Sequence, residues 1–333
     1  MAGCAGGWPM PEARLRRIEA RLRRHFAPPM PRLGAALHGV AQALAVPPVL
    51  ALGALAGAPG MALRARLAWL AIRGAVGGRL PWRSAYELLL RPLDGVRHFE
   101  LGWLLDGIRA QAPQAPRDLL DLSSPRLLPL LLLREFPAMT ATLANPDRTD
   151  LARTQTLAAE LGVQARAHFA GTTAEALAPA GASVDLVTCA SVLEHLPGEG
   201  DRESLAALWR ALRPGGVLAL SLPCAAQACE EYTDLDEYGL GAPDAMGLYF
   251  GQRFYDEALL EARIFSVVGA PAAFAVYGER VPGAFAADRA RRLRNRYYPH
   301  WREPLWLARA FGRFPSVAGL PGVGVAAMIF RKA

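Results

Sequence analysis

The sequence has few cysteines and almost no lysine. Its 333 residues include four cysteines, none of them in a CxxC pair or at a ligand spacing shared with histidine. This pattern gives no sign of a zinc-ligand set or a disulfide framework, so we expect free thiols in a reducing cytoplasm. Lysine occurs once, at Lys332, and arginine supplies the other basic residues. We attach no function to this bias, because abundant arginine, alanine, glycine and proline together fit a GC-rich coding sequence.

Charge and hydropathy exclude a disordered chain. The formal net charge is +7, with 52% hydrophobic and 20% charged residues, which is the composition of a protein able to bury a core. Residues 13–25 place Leu15, Ile18 and Leu22 at helical spacing between arginines, which predicts a short basic amphipathic helix. Such a helix packs on the protein body or lies on anionic lipid.

A long uncharged stretch runs from Leu33 to Leu63. It is long enough to span a membrane, but Pro47 and Pro48 interrupt it. We therefore expect two helices in an apolar hairpin, either packed as a cap or resting on a membrane surface. Helices continue to about residue 110, and the proline-containing segment 112–116 is the best linker.

After residue 113 the pattern changes to alternating strands and helices. Apolar or β-branched runs at 119–122, 139–144, 166–171, 184–190 and 217–223 are separated by helical segments. This alternation predicts a doubly wound, mostly parallel sheet of the Rossmann-like α/β class, with its ligands at the carboxyl ends of the strands. FSVVG (265–269) and FAVYG (274–278) are also strand-like, and the segment 325–332 supplies a final strand. The predicted domains are a helical region, 1–112, and an α/β domain, 113–333, with an insertion around 280–322.

Two neighbouring segments carry a family resemblance. VDLVTCASVLEHLP (184–197) and LRPGGVLALSLP (212–223) together resemble the core of class I S-adenosylmethionine-dependent methyltransferases, in particular the broad type 11 group. The resemblance covers about residues 117–270 and the final strand. It implies the seven-stranded fold, S-adenosyl-L-methionine as the cofactor and a small-molecule acceptor for the methyl group.

The family's glycine-rich turn is altered in this chain. Asp121 matches the acid of that motif, but its glycine positions hold Ser123, Pro125 and Leu127. Ser124 followed by Pro125 predicts a helix that begins with a serine cap and a proline. The family's acid at the end of strand two falls on Asn145, with Asp147 two residues later, and the position near the adenine falls on Thr172. The cofactor-binding residues that the resemblance implies are Asp121, Ser123, Ser124, Asn145, Asp147, Thr172, Ala190 and Ser191.

His195 is the candidate general base, with Glu194 beside it as the second catalytic candidate. Related O-methyltransferases bind a divalent metal with an E-x-x-E-H stretch, whose first position here is Ser191, so we expect no metal. The alternative role for Glu194 and His195 is structural. The altered turn also keeps open the alternative of a non-catalytic, methyltransferase-like partner subunit or binding module.

Basic and aromatic residues alternate at 289–302. Such a run suits a solvated helix, a lipid interface or, less well, nucleic acid. With the basic helix and the apolar hairpin, it favours a cytoplasmic protein held peripherally at the inner face of a membrane and acting on a hydrophobic or lipid-like acceptor. The acceptor itself and the oligomeric state are not encoded in any pattern we recognise.

Overall fold

The computed structural model describes residues 14–17, 32–112, 115–173, 183–233, 236, 243–294 and 298–333. Its strands are β1 (Arg14–Arg17), β2 (Asp118–Leu122), β3 (Thr140–Ala144), β4 (Ala167–Ala170), β5 (Val184–Ala190), β6 (Leu212–Ala225), β7 (Cys229–Thr233), β8 (Tyr249–Phe254), β9 (Ala273–Glu279), β10 (Phe311–Phe314) and β11 (Val323–Arg331).

The helices surround the sheet and precede it. They are α1 (Arg32–Leu55), α2 (Met61–Val76), α3 (Trp82–Leu90), α4 (Arg97–Gln111), α5 (Leu127–Glu135), α6 (Arg148–Glu160), α7 (Gly200–Ala211), α8 (Glu257–Leu260, continued by a π-helical segment Glu261–Phe265 and by Ser266–Val268), α9 (Ala284–Arg294) and α10 (Glu303–Ala310).

The larger sheet has eight strands among the described residues, in the order β10-β9-β11-β6-β5-β2-β3-β4. The strands from β6 to β4 are parallel, and β11 is antiparallel to both β6 and β9. This is the predicted doubly wound, mostly parallel fold with one added edge strand, β10. The strand order reverses between β2 and β5, so the carboxyl ends of these strands flank the crevice where such folds bind ligands.

One of the predicted strands is wrong. The segment FSVVG (265–269) ends a helix, because the chain stays helical or π-helical from Glu257 to Val268. The strand of this region is β9, which contains FAVYG. Tyr277 and Val276 are buried in β9, whereas Phe265, on the helix, packs edge-on against Phe274 and at a tilt against Phe330.

The basic amphipathic helix predicted for residues 13–25 is also wrong where the structure describes it. Arg14–Arg17 form β1, which pairs in parallel with β7 in a small sheet of order β1-β7-β8. Arg14 lies opposite Glu230 and Leu15 opposite Glu231 in this register. The hydrophobic spacing of this segment is helical, but pairing with β7, more than 200 residues away in sequence, makes it a strand.

The apolar hairpin predicted at 33–63 is a single long helix followed by a turn. α1 runs through Pro47 and Pro48 without ending. Proline already has a helical φ, so the backbone continues at the cost of two hydrogen bonds. The chain reverses at 56–60, and α2 begins after Gly60, whose φ of 68° lies in the left-handed region.

The helix α4 joins the helical region to the sheet. Leu101, Leu104 and Ile108 are fully buried in the same hydrophobic cluster as sheet residues such as Ile329. At Gly107 the helix lies so close to β11 that a Cβ atom would come within 2.6 Å of the Ile329 side chain. This packing fixes the first turn of α4 near the carboxyl ends of the central strands.

The cysteines depart from the sequence expectation at one position. Cys189 and Cys224 are free and buried, whereas Cys229 is disulfide-bonded. The expectation of free thiols throughout is therefore wrong for Cys229.

Candidate functional site

A solvent-connected pocket of about 780 Å³ lies at the carboxyl ends of β2 and β5. That volume is in the range of about 300–1,000 Å³ that is usual for small-ligand sites. The turn after β2 and the start of α5 form its floor, α6 forms one wall, and α3 with the loop into α4 forms the other. Its lining includes Ser123, Ser124, Pro125, Arg126, Ala190, Ser191, Asp94, Arg97, Leu101 and Asp150.

The turn after β2 keeps a left-handed residue without glycine. Ser123 has a φ of 49°. Its backbone amide and its hydroxyl both donate to the carbonyl of Ala144, at 2.8 and 3.0 Å. A serine at positive φ is strained, and these two hydrogen bonds to β3 hold it there. The turn therefore has the left-handed conformation that glycine usually adopts, but it carries the Ser123 side chain where a glycine would leave the backbone uncovered.

Ser124 does not cap a helix, contrary to the sequence prediction. α5 begins at Leu127, and no side chain caps it. Instead, the buried hydroxyl of Ser124 accepts a hydrogen bond from the amide of Ala190 at 3.0 Å. Ser124 thus joins the turn after β2 to the end of β5. The sequence pattern could not indicate this bond, because Ala190 is 66 residues from Ser124, whereas a helix cap is recognised from neighbouring residues.

Asp121 lies beneath this turn and does not line the pocket. Its carboxylate accepts from the Thr188 hydroxyl at 2.5 Å and from the Ser124 amide at 3.3 Å. Burial raises the pKa of Asp121 to about 6, although these hydrogen bonds lower it. Asp121 therefore acts on the pocket through the two elements that it joins.

Glu100 is the buried carboxylate that the sequence analysis missed. It lies in the first turn of α4 and is inaccessible to solvent. One of its oxygens accepts from the hydroxyls of Ser191 and Ser221, each at 2.5 Å, and the other accepts from Arg97. Ser191, with a φ of 50°, is the second strained serine of the site. Nothing in the local sequence around Glu100 distinguishes it from a surface acid.

Two of the predicted cofactor residues belong to a capping network at the end of β3. Asp147 caps α6, accepting from the amides of Thr149 and Asp150 at 2.8 and 3.1 Å. Asn145 accepts from the Asp147 amide and donates to the Asp150 carboxylate at 3.2 Å. None of Asn145, Asp147 and Thr172 lines the pocket, whereas Asp150 does. Asp150 also lies 3.5 Å from Arg126, and no motif signalled it.

The predicted catalytic residues follow β5 but do not line this pocket. His195 Nδ1 lies 2.7 Å from the carbonyl oxygen of Gly251 in β8. A carbonyl only accepts hydrogen bonds, so Nδ1 carries the proton and Nε2 is the acceptor nitrogen of the neutral ring. Glu194 is buried, and one of its carboxyl oxygens has no hydrogen-bond partner within the described part of the chain. Burial raises the pKa of Glu194 to about 8. At neutral pH its carboxyl group is mainly protonated.

Arginines and acids are mixed along the pocket. Burial alone would lower the pKa of Arg97, but Glu100 and Asp94 raise it above its ordinary value. Arg97 therefore stays charged while it faces both Glu100 and the pocket. Arg126, on the opposite side, is half-exposed and placed at the start of α5. The pocket thus offers guanidinium groups for an anionic group and carboxylates for a cationic or hydroxyl-bearing one.

Metal ligands and membrane spans give two further observations. Over the described ranges no three His, Cys, Asp or Glu side chains gather in a group that could hold a metal ion. One described helix is long and apolar enough to cross a membrane: Leu37–Leu55, with 19 residues and a mean hydropathy of 1.5, of which 22% is buried. By length and composition alone, a core helix of a soluble protein passes the same test.

The strand order, the antiparallel β11 and the pocket at the β2–β5 crossover define a class I, Rossmann-like methyltransferase fold. Residues 105–218 match the family model described as "Methyltransferase domain". The matched segment runs from α4 to β6 and includes the whole turn after β2. The match supports S-adenosylmethionine-dependent methyltransferase activity, and it says nothing about the acceptor.

Several solved structures are similar to the chain. A protein from Galdieria sulphuraria, provisionally described as a sarcosine dimethylglycine methyltransferase, is 17% identical over 70% of this chain and 85% of its own, with a TM-score of 0.44. The N-methyltransferase NodS from Bradyrhizobium japonicum, in complex with S-adenosyl-L-homocysteine, is 13% identical over 70% and 85%, with a TM-score of 0.40. The [4+2]-cyclase SpnF is 16% identical over 72% and 84%, with a TM-score of 0.44. No curated protein matches the chain.

Proposed function

We propose that the chain is an S-adenosylmethionine-dependent methyltransferase that binds its cofactor in the pocket between the turn after β2 and α3. The observation that carries this proposal is the position of the pocket: it opens where the strand order reverses, and Ser123, Ser124, Ala190 and Ser191 line it. These are four of the residues that the sequence resemblance marks for the cofactor. The matched methyltransferase segment, 105–218, contains all four.

The donors and acceptors of the pocket fit the cofactor's polar groups, with substitutions. Arg97 and Arg126 offer guanidinium groups to a carboxylate, and Asp94 offers a carboxylate to an ammonium group. For the ribose hydroxyls, we assign Asp150 as the acceptor, because it lines the pocket from the first turn of α6, directly after β3. Asn145 holds Asp150 from behind through its side-chain amide.

When bound, S-adenosylmethionine supplies a methyl group already activated on a sulfonium. The protein then has to align the acceptor and exclude water. α3 and the loop into α4 cover the pocket from the side opposite the sheet. For an oxygen or nitrogen acceptor we assign His195 as the base; because it does not line the cofactor pocket, the acceptor has to approach it from the loop after β5 that contacts β8. Glu194 lies beside this base, with a carboxyl oxygen 3.7 Å from His195 Nε2, and burial raises its pKa to about 8.

The cofactor proposal is tested by isothermal titration of S-adenosyl-L-homocysteine into the folded protein. We expect saturable one-to-one binding that weakens severalfold in Arg126→Gln. The matched control is Arg331→Gln, which removes the same charge at the end of β11, on the opposite edge of the sheet. No binding by folded wild-type protein at millimolar ligand would overturn the proposal and leave the alternative, a non-catalytic methyltransferase-like partner subunit or binding module.

We further infer that α1 to α3 dock the protein peripherally on the anionic, inner face of a membrane, where it meets a hydrophobic or lipid-like acceptor. Leu55 is 84% exposed, and Trp69 and Trp82 are 61% and 79% exposed. Arginines accompany these side chains: the Arg73 guanidinium lies 5.8 Å from the Trp69 ring, and the Arg83 side chain is almost fully exposed. Exposed tryptophans beside arginines suit the headgroup region of an anionic bilayer.

In the basic segment at 289–302, two of the described side chains are held by acids. Arg292 pairs with Asp94 and Asp288, and the Tyr298 hydroxyl donates to Asp288. These contacts favour a structural role over a nucleic-acid interface.

Co-sedimentation with phosphatidylglycerol vesicles tests the membrane proposal. We expect wild-type protein to bind them and the Trp69→Ser/Trp82→Ser double variant to bind much less, with phosphatidylcholine vesicles as the charge control. Equal partition of the two proteins would contradict it. Leu37, at the other end of the exposed stripe of α1, offers a third position for the same test.

A further inference from the structure

A second pocket, of about 800 Å³, lies on the other side of α4 from the proposed cofactor pocket. The turn between α1 and α2 forms one wall, α4 forms the back, and the edge of the large sheet at β9 and β10 forms the floor. β9 runs parallel to β6, so the pocket lies at the same carboxyl edge of the sheet as the first one. The family resemblance marks no residue in it.

The floor of this pocket is aromatic. The rings of Phe99 and Tyr277 are stacked with centroids 4.8 Å apart and an angle of 13° between planes. Tyr277 and Phe311 continue the stack at 6.0 Å and 21°. All three side chains are almost fully buried in the protein core, yet they line the cavity. Together the three rings give this side of the cavity an apolar lining for the body of a ligand.

Four arginines line the pocket against one acid, Asp106. Two of them are neutralised: Arg66 and Arg109 both bond to Glu135, and Arg109 also bonds to Asp106. Arg280 and Arg313 pair with no carboxylate in the part of the chain that the structure describes. Arg280 donates to the backbone carbonyl of Ala308 at 3.5 Å, and because neither guanidinium has an acid partner there, both are available to an anion.

The backbone of β9 and β10 positions these two arginines on one side of the cavity. Arg313 is paired with Tyr277 in the strand register, and its guanidinium lies 5.7 Å from the ring of Phe99. Arg280 follows β9 and lies across Gly312, where a Cβ atom would come within 2.5 Å of its Nε. Glycine at position 312 thus leaves room for the Arg280 side chain beside the aromatic floor.

We propose that this pocket binds an amphiphilic anion: a molecule with an apolar body, received by Phe99, Tyr277 and Phe311, and a terminal carboxylate or phosphate, received by Arg280 and Arg313. The exposed apolar end of α1 supports this ligand class, because Ala54 and Ala56 line the pocket next to the solvent-exposed Leu55. An apolar ligand thus meets apolar surface at the entrance as well as at the floor. The site requires neither cofactor binding nor methyl transfer.

The test uses dodecanoate, below its micelle-forming concentration, titrated calorimetrically into the full chain without S-adenosylmethionine. Acetate supplies the anion without the chain, and 1-dodecanol supplies the chain without the anion. We expect saturable binding of dodecanoate, at least tenfold tighter than that of either control compound. We expect the Arg280→Gln/Arg313→Gln double variant to bind dodecanoate at least tenfold more weakly, and Arg331→Gln to bind it as wild type does.

Both arginines are solvent-exposed, so the double variant is expected to fold, and circular dichroism checks this. Gly312→Ala provides an independent variant, because its methyl group displaces Arg280 without removing a charge, and it should also weaken dodecanoate. Equal binding of dodecanoate and dodecanol would show adsorption to apolar surface and overturn the proposal. So would unchanged dodecanoate affinity in the folded double variant, or no binding by wild type.

Discussion

Ser191 donates its hydroxyl hydrogen to the buried carboxylate of Glu100 over 2.5 Å, and this bond joins the end of β5 to the first turn of α4. Ser191 lines the proposed cofactor pocket, and Glu100 lies directly behind it. The same carboxylate binds Arg97, which also lines the pocket. One buried acid therefore positions both the Ser191 hydroxyl and the Arg97 guanidinium at the pocket.

Glu100→Gln should weaken the hydrogen bonds that hold Ser191 and Arg97 at the pocket. An amide has one acceptor oxygen and no charge, so it cannot serve Ser191, Ser221 and Arg97 together. We expect a loss of about 1–3 kcal/mol in the free energy of unfolding, the usual cost of an unmet buried polar group. Binding of S-adenosylhomocysteine should weaken in parallel, measured by titration calorimetry.

Ser221→Ala is the control for Glu100→Gln. It removes the other hydroxyl on the same carboxylate oxygen and leaves the bond between Ser191 and Glu100 in place. We expect it to lower stability with a smaller effect on affinity. Wild-type affinity in Glu100→Gln would show that the carboxylate does not position the pocket.

The strained turn at Ser123 gives a second prediction. A residue other than glycine in the left-handed region costs about 1–2 kcal/mol, and the hydroxyl bond to Ala144 returns about 1 kcal/mol. Ser123→Gly should therefore change the free energy of unfolding by less than about 1 kcal/mol. Ser123→Val adds a β-branched side chain at positive φ and loses the bond, so we expect clear destabilisation in urea titrations. A valine variant as stable as wild type would contradict the strained conformation.

Asp121 predicts a pH dependence of stability. Its pKa is about 6 in the folded protein, raised mainly by burial, and an unfolded aspartate has a pKa of about 3.9. Between these pH values the folded state binds more protons than the unfolded state, so this group's contribution to stability falls as the pH rises from about 4 to about 6. The contribution is constant above that range.

Comparison of wild type with Asp121→Asn isolates the contribution of this carboxyl group. The wild-type unfolding free energy should fall relative to that of the variant across pH 4–6, measured by urea titration at each pH. Glu194, whose pKa is raised to about 8 by burial, is present in both proteins and cancels in the comparison. Parallel pH profiles of the two proteins would show that Asp121 does not titrate in this range.

Substitutions at Asp147 distinguish a helix-capping role of this residue from a cofactor-binding role. Asp147→Ala removes the N-cap of α6 and should cost about 0.5–2 kcal/mol of stability. Asp147→Ser keeps a capping oxygen and should restore most of that loss. Because Asp147 does not line the pocket, neither variant should change S-adenosylhomocysteine affinity more than about twofold, well under the roughly tenfold change that 1.4 kcal/mol would produce. Equal and large losses of affinity in both variants would place Asp147 on the ligand.

The sequence predicts what depends on local pattern. The apolar runs that become β2, β5 and β6, and the position of the pocket at their carboxyl ends, follow from periodicity and from the motif around 184–223. Interactions between distant segments are what it misses. Ser124 has the local pattern of a helix cap but bonds to Ala190, and the pattern at 14–17 is helical although β7 recruits these residues into a sheet.

Burial of a charged residue is also hidden from the sequence. Glu100 follows a phenylalanine at the start of a helix, a position at which an exposed acid would serve equally well. Only the packing of α4 against β11 and the two serines that meet its carboxylate identify it as part of the site. Asp150 was missed for a related reason, because the family position points to Asn145, whose side chain turns out to hold Asp150.

The most direct test of the central claim is a crystal structure of the chain grown with S-adenosyl-L-homocysteine. We predict that the ligand lies between α3 and the turn after β2, in contact with Ser123, Ala190 and Arg126, with Asp150 at its ribose. Ligand bound elsewhere, or an ordered structure with no ligand at saturating concentration, would contradict the assignment of this pocket to the cofactor.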